Sequence, residues 1–323
     1  KFNDLKCSEQ TCLAFMSDIL ANAKQRQDNY YFKYDADKCK VQKWHRIEHG
    51  LNAVLPAQTS NITWQEDSTY VISGGLGGIG KILCASILKN TKNSHVVLLV
   101  LREMLSALLD ELGQLNAYGR TQYYQINLCD LAKSEDLIRD IRNLDGPLKG
   151  VMHAAGCIQD SLLVNKSTQE LERVLKPKVA GVVNLDLATR EVPLDFFIAF
   201  SSLASVSGNA GQLDYACANG FVDSYIQYRH SLRGQQQRQG KSLSINWPIW
   251  AEGGMSVSSS ALAAMKRKAG IVPISTVMAL DVIDLCLQHD IEQVLPVYGD
   301  TDRFLASFER GSKAPQVSSN STE

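Results

Sequence analysis

From residue 70 onward, short apolar runs alternate with stretches of helical periodicity. The runs cover residues 70–73, 95–101, 122–127, 150–153, 195–201, 242–247 and 293–298. Strands buried on both faces read as continuous apolar runs, and helix-length spacers return the chain to a parallel neighbour. The pattern predicts an α/β fold: a doubly wound parallel sheet of about seven strands. Before it, Leu13, Met16, Ile19, Leu20 and Ala23 recur at helical spacing over residues 8–26, with Ser8 as N-cap. Two strand-like runs, 30–34 and 39–44, flank the polar break Asp35-Ala36-Asp37. The expected organisation is therefore an appendage with its connector over 1–69, too small to be an independent α/β domain. The α/β domain over 70–305 and a polar, Ser-rich linker tail over 306–323 follow it.

Composition changes this picture little. The chain has 323 residues, 45% of them hydrophobic, with a formal net charge of −1. That balance gives no sign of a nucleic-acid or membrane-surface partner. No apolar run approaches the roughly 18 residues of a membrane span. The eight cysteines contain no C-x-x-C pair, which excludes zinc ribbons and thioredoxin-type redox motifs. Several lie in apolar runs, as free thiols of a reducing compartment do, so a cytoplasmic location is expected. Three N-x-S/T sequons, at Asn61, Asn165 and Asn320, are read as chance. The start at Lys1 and the linker-like tail suggest a piece of something longer. His45-Arg-Ile-Glu48-His49 spells an inverted zinc-protease motif, but a strand-like run precedes it and Gly50 follows, so no metal site is expected.

The first predicted strand of the sheet runs into Gly74-Gly75-Leu76-Gly77-Gly78-Ile79-Gly80 and then an apolar helix. Glycines there let the backbone turn tightly and approach a pyrophosphate on the N–H groups of the helix start. Gly75, Gly77 and Gly80 fit G-x-G-x-x-G; Gly74, Gly78 and Gly80 fit G-x-x-x-G-x-G. A P-loop fails because Ile82 offers no hydroxyl for a magnesium ion. Arg102 follows the second strand, where a guanidinium would bind a ribose 2′-phosphate in preference to a bare hydroxyl. A solvated arginine with Glu103 beside it reads equally well at that position. The run 195–202 ends in Ser201-Ser202, and thirteen residues beyond Ser202 comes Tyr215-Ala-Cys-Ala-Asn219.

Strand-end serine and helical tyrosine at this spacing resemble the short-chain dehydrogenase arrangement, with Asn219 where most members carry lysine. Leu175-Lys-Pro-Lys178-Val-Ala-Gly181 supplies a lysine elsewhere. Together with Gly150-Val-Met-His-Ala-Ala-Gly156, Gly211-Gln-Leu-Asp-Tyr215 and Ser244-Ile-Asn-Trp-Pro-Ile-Trp250, these residues resemble the ketoreductase domain of a modular polyketide synthase. Trp250-Ala-Glu-Gly-Gly-Met255 resembles those whose acyltransferase acts in trans. The resemblance runs from about residue 30 to 298, with the front strands matching the end of a truncated structural subdomain. It implies a Rossmann-type fold and NADPH-dependent reduction of a β-keto group on a phosphopantetheine arm. The partners it implies are an acyl-carrier-protein domain and neighbouring synthase domains of the same polypeptide.

The resemblance also implies roles. Tyr215 is the proton donor, Ser202 orients the ketone oxygen, and Lys178 stabilises the phenolate. Asn219 holds a water for proton resupply. The glycine loop 74–80, Arg102, Asn127, Leu128, Ala154, Ala155, Gly156 and Pro248 bind the cofactor. Asn127 departs from the aspartate common at its position. Asp160, Gln212, Trp250 and Met255 bind substrate or set its face. Asp160 accompanies a D-configured (B-type) hydroxyl, while Gln212 occurs in the opposite class; capping of the following helix is the plainer role for Asp160. Residues 250–270 are expected to form a lid hinged at Gly253-Gly254. Two other readings compete: a free-standing short-chain dehydrogenase and a non-catalytic NADP-binding scaffold.

Overall fold

The computed structural model describes residues 32–35, 38–41, 64–102, 106–255, 257–289 and 291–311. The expected helix over 8–26 and the His45–His49 motif lie outside these residues. At the front, β1 (Phe32–Asp35) pairs antiparallel with β2 (Lys38–Val41), overlapping the two expected runs.

All seven predicted strands enter one parallel sheet: β3 (Thr69–Ser73), β4 (His95–Val100), β5 (Arg120–Gln125), β6 (Leu148–His153), β7 (Phe196–Ser202), β8 (Lys241–Trp247) and β9 (Gln293–Val294). Their order is β5-β4-β3-β6-β7-β8-β9. The order reverses between β3 and β6, and such a reversal opens a crevice at the strands' C-terminal ends. β3 is buried throughout, and β4, β6, β7 and β8 at all but one residue each. This is why they read as apolar runs and not as alternations. β9 stops after two residues because Pro296 can donate no ladder hydrogen bond.

Helices cover both faces. α1 (Gly78–Asn90) and, later in the chain, α8 (Thr276–Gln288) bury Leu83, Ile87 and Ile283 against Ile72, Leu98 and Ile245. On the other face, α3 (Leu131–Ile141), α4 (Thr168–Ala188) and α6 (Leu213–Gly234) bury Ile138, Leu185 and Ile226 against Val71, Val97 and Phe197. Each such side chain contributes about 1.5–3 kcal/mol when fully buried. α2 (Ser106–Asn116) joins β4 to β5, and the short α5 (Leu203–Ser207) follows β7. α7 (Ser259–Ala269) runs from its Ser258 cap to a left-handed Gly270. It has no buried residue, as a helix on the rim of a site would.

Two details position the site. α4 starts in a reciprocal cap between Ser167 and Glu170 and contains Pro177. Proline cannot donate to the carbonyl four residues back, and Arg173 O there accepts the Cys157 thiol at 3.3 Å. α9 (Thr301–Gly311) corrects the expected tail: residues 306–311 are helical. Asp300 accepts the Arg303 N–H, and Phe304 is buried, so the helix has both a cap and an apolar anchor.

Away from the crevice, Asp186 is fully buried and accepts from Arg229 Nε (2.8 Å), Arg238 Nε (2.9 Å) and the Tyr225 hydroxyl (2.9 Å). Arg229 also lies over the Phe197 ring and donates to Ser242 Oγ. Removing one partner of a buried pair strands the other charge. Asp186→Asn should therefore lower unfolding free energy by about 3–5 kcal/mol, read from urea denaturation midpoints.

Candidate active site

The crevice begins at β3. Gly74 adopts φ +70°, and a Cβ there would lie 2.9 Å from the Ala155 backbone. Gly75 lies against Leu98, and a Cβ on Gly80 would meet Gly74 O at 2.5 Å. Glycine is thus required for the loop to fold between β4 and β6. The N-cap of α1 is Gly77, which offers no side-chain acceptor, and no acidic residue stands in the first turn. The uncapped N–H groups at that end fit an anionic group such as a pyrophosphate. Gly78 faces Gly253: a Cβ on Gly78 would lie 2.0 Å from Gly253 O. The segment after β8 therefore forms the outer wall of this cradle.

The far wall of the crevice is Ala154-Ala155-Gly156. Ala154 N donates to Ser73 O (3.1 Å) and Ala155 N to Ser73 Oγ (3.4 Å). Ser73 Oγ also bonds His153 Nδ1 at 2.6 Å. His153 is fully buried beneath this turn, where burial and the nearby Lys178 push its imidazole down to about 3. It is a neutral packing residue. Gly181 makes room for its ring, since a Cβ there would sit 2.8 Å from Cε1.

The remaining cofactor candidates follow the C-terminal ends of β4, β5 and β8. Arg102 is exposed just beyond β4, and its carbonyl accepts the Tyr123 hydroxyl. Asn127 is exposed beyond β5, with Oδ1 accepting Cys129 N at 3.0 Å. That acceptor is therefore already engaged by a local turn. Leu128 is buried, and its carbonyl accepts Asn184 Nδ2. Pro248 is buried at the end of β8. Leu76 is buried and Ile79 packs against the same core, so these two hold the loop in place.

The catalytic candidates come from the C-terminal end of β7, the middle of α4 and the first turns of α6. Ser202 closes β7, and its Oγ accepts Ala204 N at 3.2 Å, capping α5. Lys178 follows Pro177 and is only 4% exposed. Its Nζ donates to Phe200 O at 2.5 Å, and its stem passes Gly156, where a Cβ would collide with Cε at 2.8 Å. Burial lowers Lys178 to about 8, and the Asp223 carboxylate opposes that fall. Tyr215, Asn219 and Asp223 recur every fourth residue on one face of α6. Asn219 Nδ2 donates to Tyr215 O at 2.7 Å, and Asn219 Oδ1 is buried without a protein donor.

The Tyr215 phenol is raised: burial outweighs its hydrogen bonds with Ser202 and Asn219.

Asp223 was missed in the sequence, although its spacing from Asn219 was visible. Its buried carboxylate accepts from Ser205 Oγ (2.7 Å), Ser244 Oγ (2.6 Å) and Asn246 Nδ2 (2.8 Å). Asn246 also donates to Ser201 Oγ, which in turn donates to Asn219 O. This network locks the ends of β7 and β8 to α6 beneath the reactive groups.

Of the substrate candidates, Asp160 and Gln212 meet. Gln212 Nε2 donates to both carboxylate oxygens at 3.0 Å, and Ser161 N donates to Gly211 O at 2.9 Å. Asp160 caps nothing, because the turn that follows, Leu163–Asn165, is capped at Leu162. Met255 is exposed in the loop after Gly254. Trp250 is 4% exposed and packs edge-on against Trp247 with ring centroids 5.0 Å apart, which anchors the base of the 250–270 segment in the core. Glu252 adds a second anchor, accepting Thr276 N at 2.9 Å. A polar hollow of about 320 Å³ lined by Arg190, Glu191 and residues 236–239 lies at the strands' opposite edge and brings no such groups together.

Comparison with known proteins shows the family and fold to which the chain belongs. Residues 68–252 match the family model of the KR domain. Polyketide synthase PksN of Bacillus subtilis is 36% identical over 297 residues, which is 92% of this chain and 5% of PksN. The chain thus spans about one-twentieth of that relative's length. A ketoreductase domain from the bacillaene assembly line superposes with a TM-score of 0.81 at 30% identity, covering 90% of this chain and 68% of that one. An N-terminal ketoreductase from the macrolactin assembly line gives 0.68 at 34% identity, covering 75% and 47%. Among the described residues, no helix is long and apolar enough to cross a membrane.

Proposed function

We propose that this chain, which belongs to the KR domain family of polyketide synthases and has their short-chain dehydrogenase fold, reduces the β-keto group of a carrier-protein-tethered acyl chain. The cofactor in this reading is NADPH and the product a D-configured β-hydroxyl. The observation that carries it is the convergence of Lys178, Ser202, Tyr215 and Asn219 beside an uncapped, glycine-lined helix start. The partners are a phosphopantetheine-bearing acyl-carrier domain and neighbouring synthase domains of the same polypeptide.

In this reading the ketone oxygen sits between Tyr215 and Ser202. Burial keeps the Tyr215 phenol protonated, so it enters as an acid, and Ser202 donates a hydrogen bond that orients the oxygen. When bound, a reduced nicotinamide supplies the hydride. As charge develops on oxygen, the Lys178 ammonium stabilises the side of the site from which the proton has left. Asn219 Oδ1, buried and without a protein donor, is an acceptor that a water would satisfy, as proton resupply needs. The N–H groups of the 74–80 loop hold the pyrophosphate, and Arg102 reads the 2′-phosphate. Ala154–Gly156, Asn127, Leu128 and Pro248 border the cofactor. The Asp160 segment and residues 250–270 with Met255 flank the groove and decide which carbonyl face meets the hydride.

The test is turnover of a β-ketoacyl pantetheine thioester with NADPH, followed by chiral chromatography. Tyr215→Phe should cut turnover by roughly 10²–10⁴-fold while NADPH binding stays within about twofold. Absence of turnover in the wild type would favour the scaffold reading, and a predominantly L product would overturn the stereochemical assignment. Arg102→Ala should cost NADPH about 1.5–3 kcal/mol and leave NADH little changed; equal loss for both removes Arg102 from the role.

The pH profile gives a further check. Lys178 carries its charge below about 8, His153 stays neutral and Tyr215 stays protonated beyond its ordinary value. Rate should therefore fall as pH rises through about 8. Asp223 is the carboxylate that supports the Lys178 charge, so Asp223→Asn should move this limb to lower pH. An unmoved limb would assign it to another group.

A further inference from the structure

The segment from Cys157 to Ser167 has no buried residue. Leu162, Leu163 and Val164 are 59%, 54% and 88% exposed; the segment's apolar contact is at its start, where the half-buried Cys157 packs against Val174, Ala204 and Tyr215. Two of its ties to the start of α6 involve solvent-reached residues: the Gln212–Asp160 pair and the Ser161–Gly211 backbone bond. Such exposed bonds compete with water and hold weakly.

One tie is of another kind. Lys166 Nζ lies 2.5 Å from Asp214 Oδ2, with the two side chains 0% and 1% exposed. The same ammonium donates to Gln159 O. The other carboxylate oxygen, Asp214 Oδ1, accepts the Tyr215 N–H at 2.9 Å. One dry ion pair thus joins both ends of the segment to the residue immediately before the phenol. A desolvated pair adds little net stability, but its loss leaves a charge stranded, so its use is to enforce one arrangement.

We propose that Lys166 and Asp214 are positioning residues: their buried ion pair latches segment 157–167 onto the first turn of α6 and fixes that groove wall relative to the Tyr215 hydroxyl. This rests on the ketoreduction reading for its consequence and on the geometry alone for the latch. Displacing a groove wall by an ångström changes how the ketone lies against the phenol, which costs rate and facial selectivity together.

The test compares Lys166→Gln and Asp214→Asn with the wild type. Hydrogen exchange of the unliganded protein should show segment 157–167 opening by about tenfold or more, with β3 and β4 unchanged. With the β-ketoacyl pantetheine thioester, kcat should fall roughly ten- to a hundredfold and the minor enantiomer should increase. NADPH affinity should stay within about twofold. If a single variant fails to fold, Lys166→Met/Asp214→Leu, which strands no charge, carries the same expectations. Unchanged exchange overturns the latch. Increased exchange with unchanged kcat and enantiomer ratio overturns the positioning role. Wild-type protein that reduces no thioester refutes the ketoreduction reading and with it the positioning role, while the exchange measurement still decides the latch.

Discussion

The site is built around the cost of keeping one charge out of water. Lys178 lies at the C-terminal edge of the sheet, buried, with an ammonium that desolvation pulls down to about 8. A cation in such a place needs a fixed dipole and a fixed counter-charge. Phe200 O provides the first and Asp223 the second. Asp223 in turn must be held, and three donors from α5 and β8 hold it. The strand ends, the helix carrying Tyr215 and the lysine are consequently parts of one polar network inside an apolar sheet. A partly satisfied network would be worse than none, which makes the shape of this edge sensitive to each member.

The sheet itself was legible because parallel strands covered on both faces must be apolar at nearly every position. Residues 70–73, 95–101 and 242–247 could scarcely be read otherwise. The glycine loop was legible because its spacing is a steric requirement. The buried charges were not. Lys166 and Asp214 are 48 residues apart, as the chain runs, and Asp186 and Arg229 are 43 apart. Nothing local distinguishes them from solvated residues. Lys178 follows a proline, a context that suggests surface. Its burial depends on Pro177 being absorbed within a helix whose freed carbonyl finds the Cys157 thiol, a partner reached only by folding. The burial of Trp250 was equally hidden: it depends on a stack with Trp247 that only the end of β8 brings about.

Asp160 and Gln212 carry the last step. Read along the chain, they point in opposite stereochemical directions, one before the turn and one before the phenol. In space they share two hydrogen bonds of 3.0 Å, and Asn209 Nδ2 donates to Gln212 Oε1 at 2.9 Å. They are one structural unit. Replacing either leaves the other with an altered partner, so neither acts as an independent signal of which face of a ketone is presented. The glutamine holds the aspartate's segment toward the catalytic helix from the exposed side, as Lys166 does from the buried side. Beyond Cys157, which packs against Val174, Ala204 and Tyr215, this segment is tied at both depths by polar contacts, so its position relative to the helix start depends on their geometry and shifts when any one of them is altered.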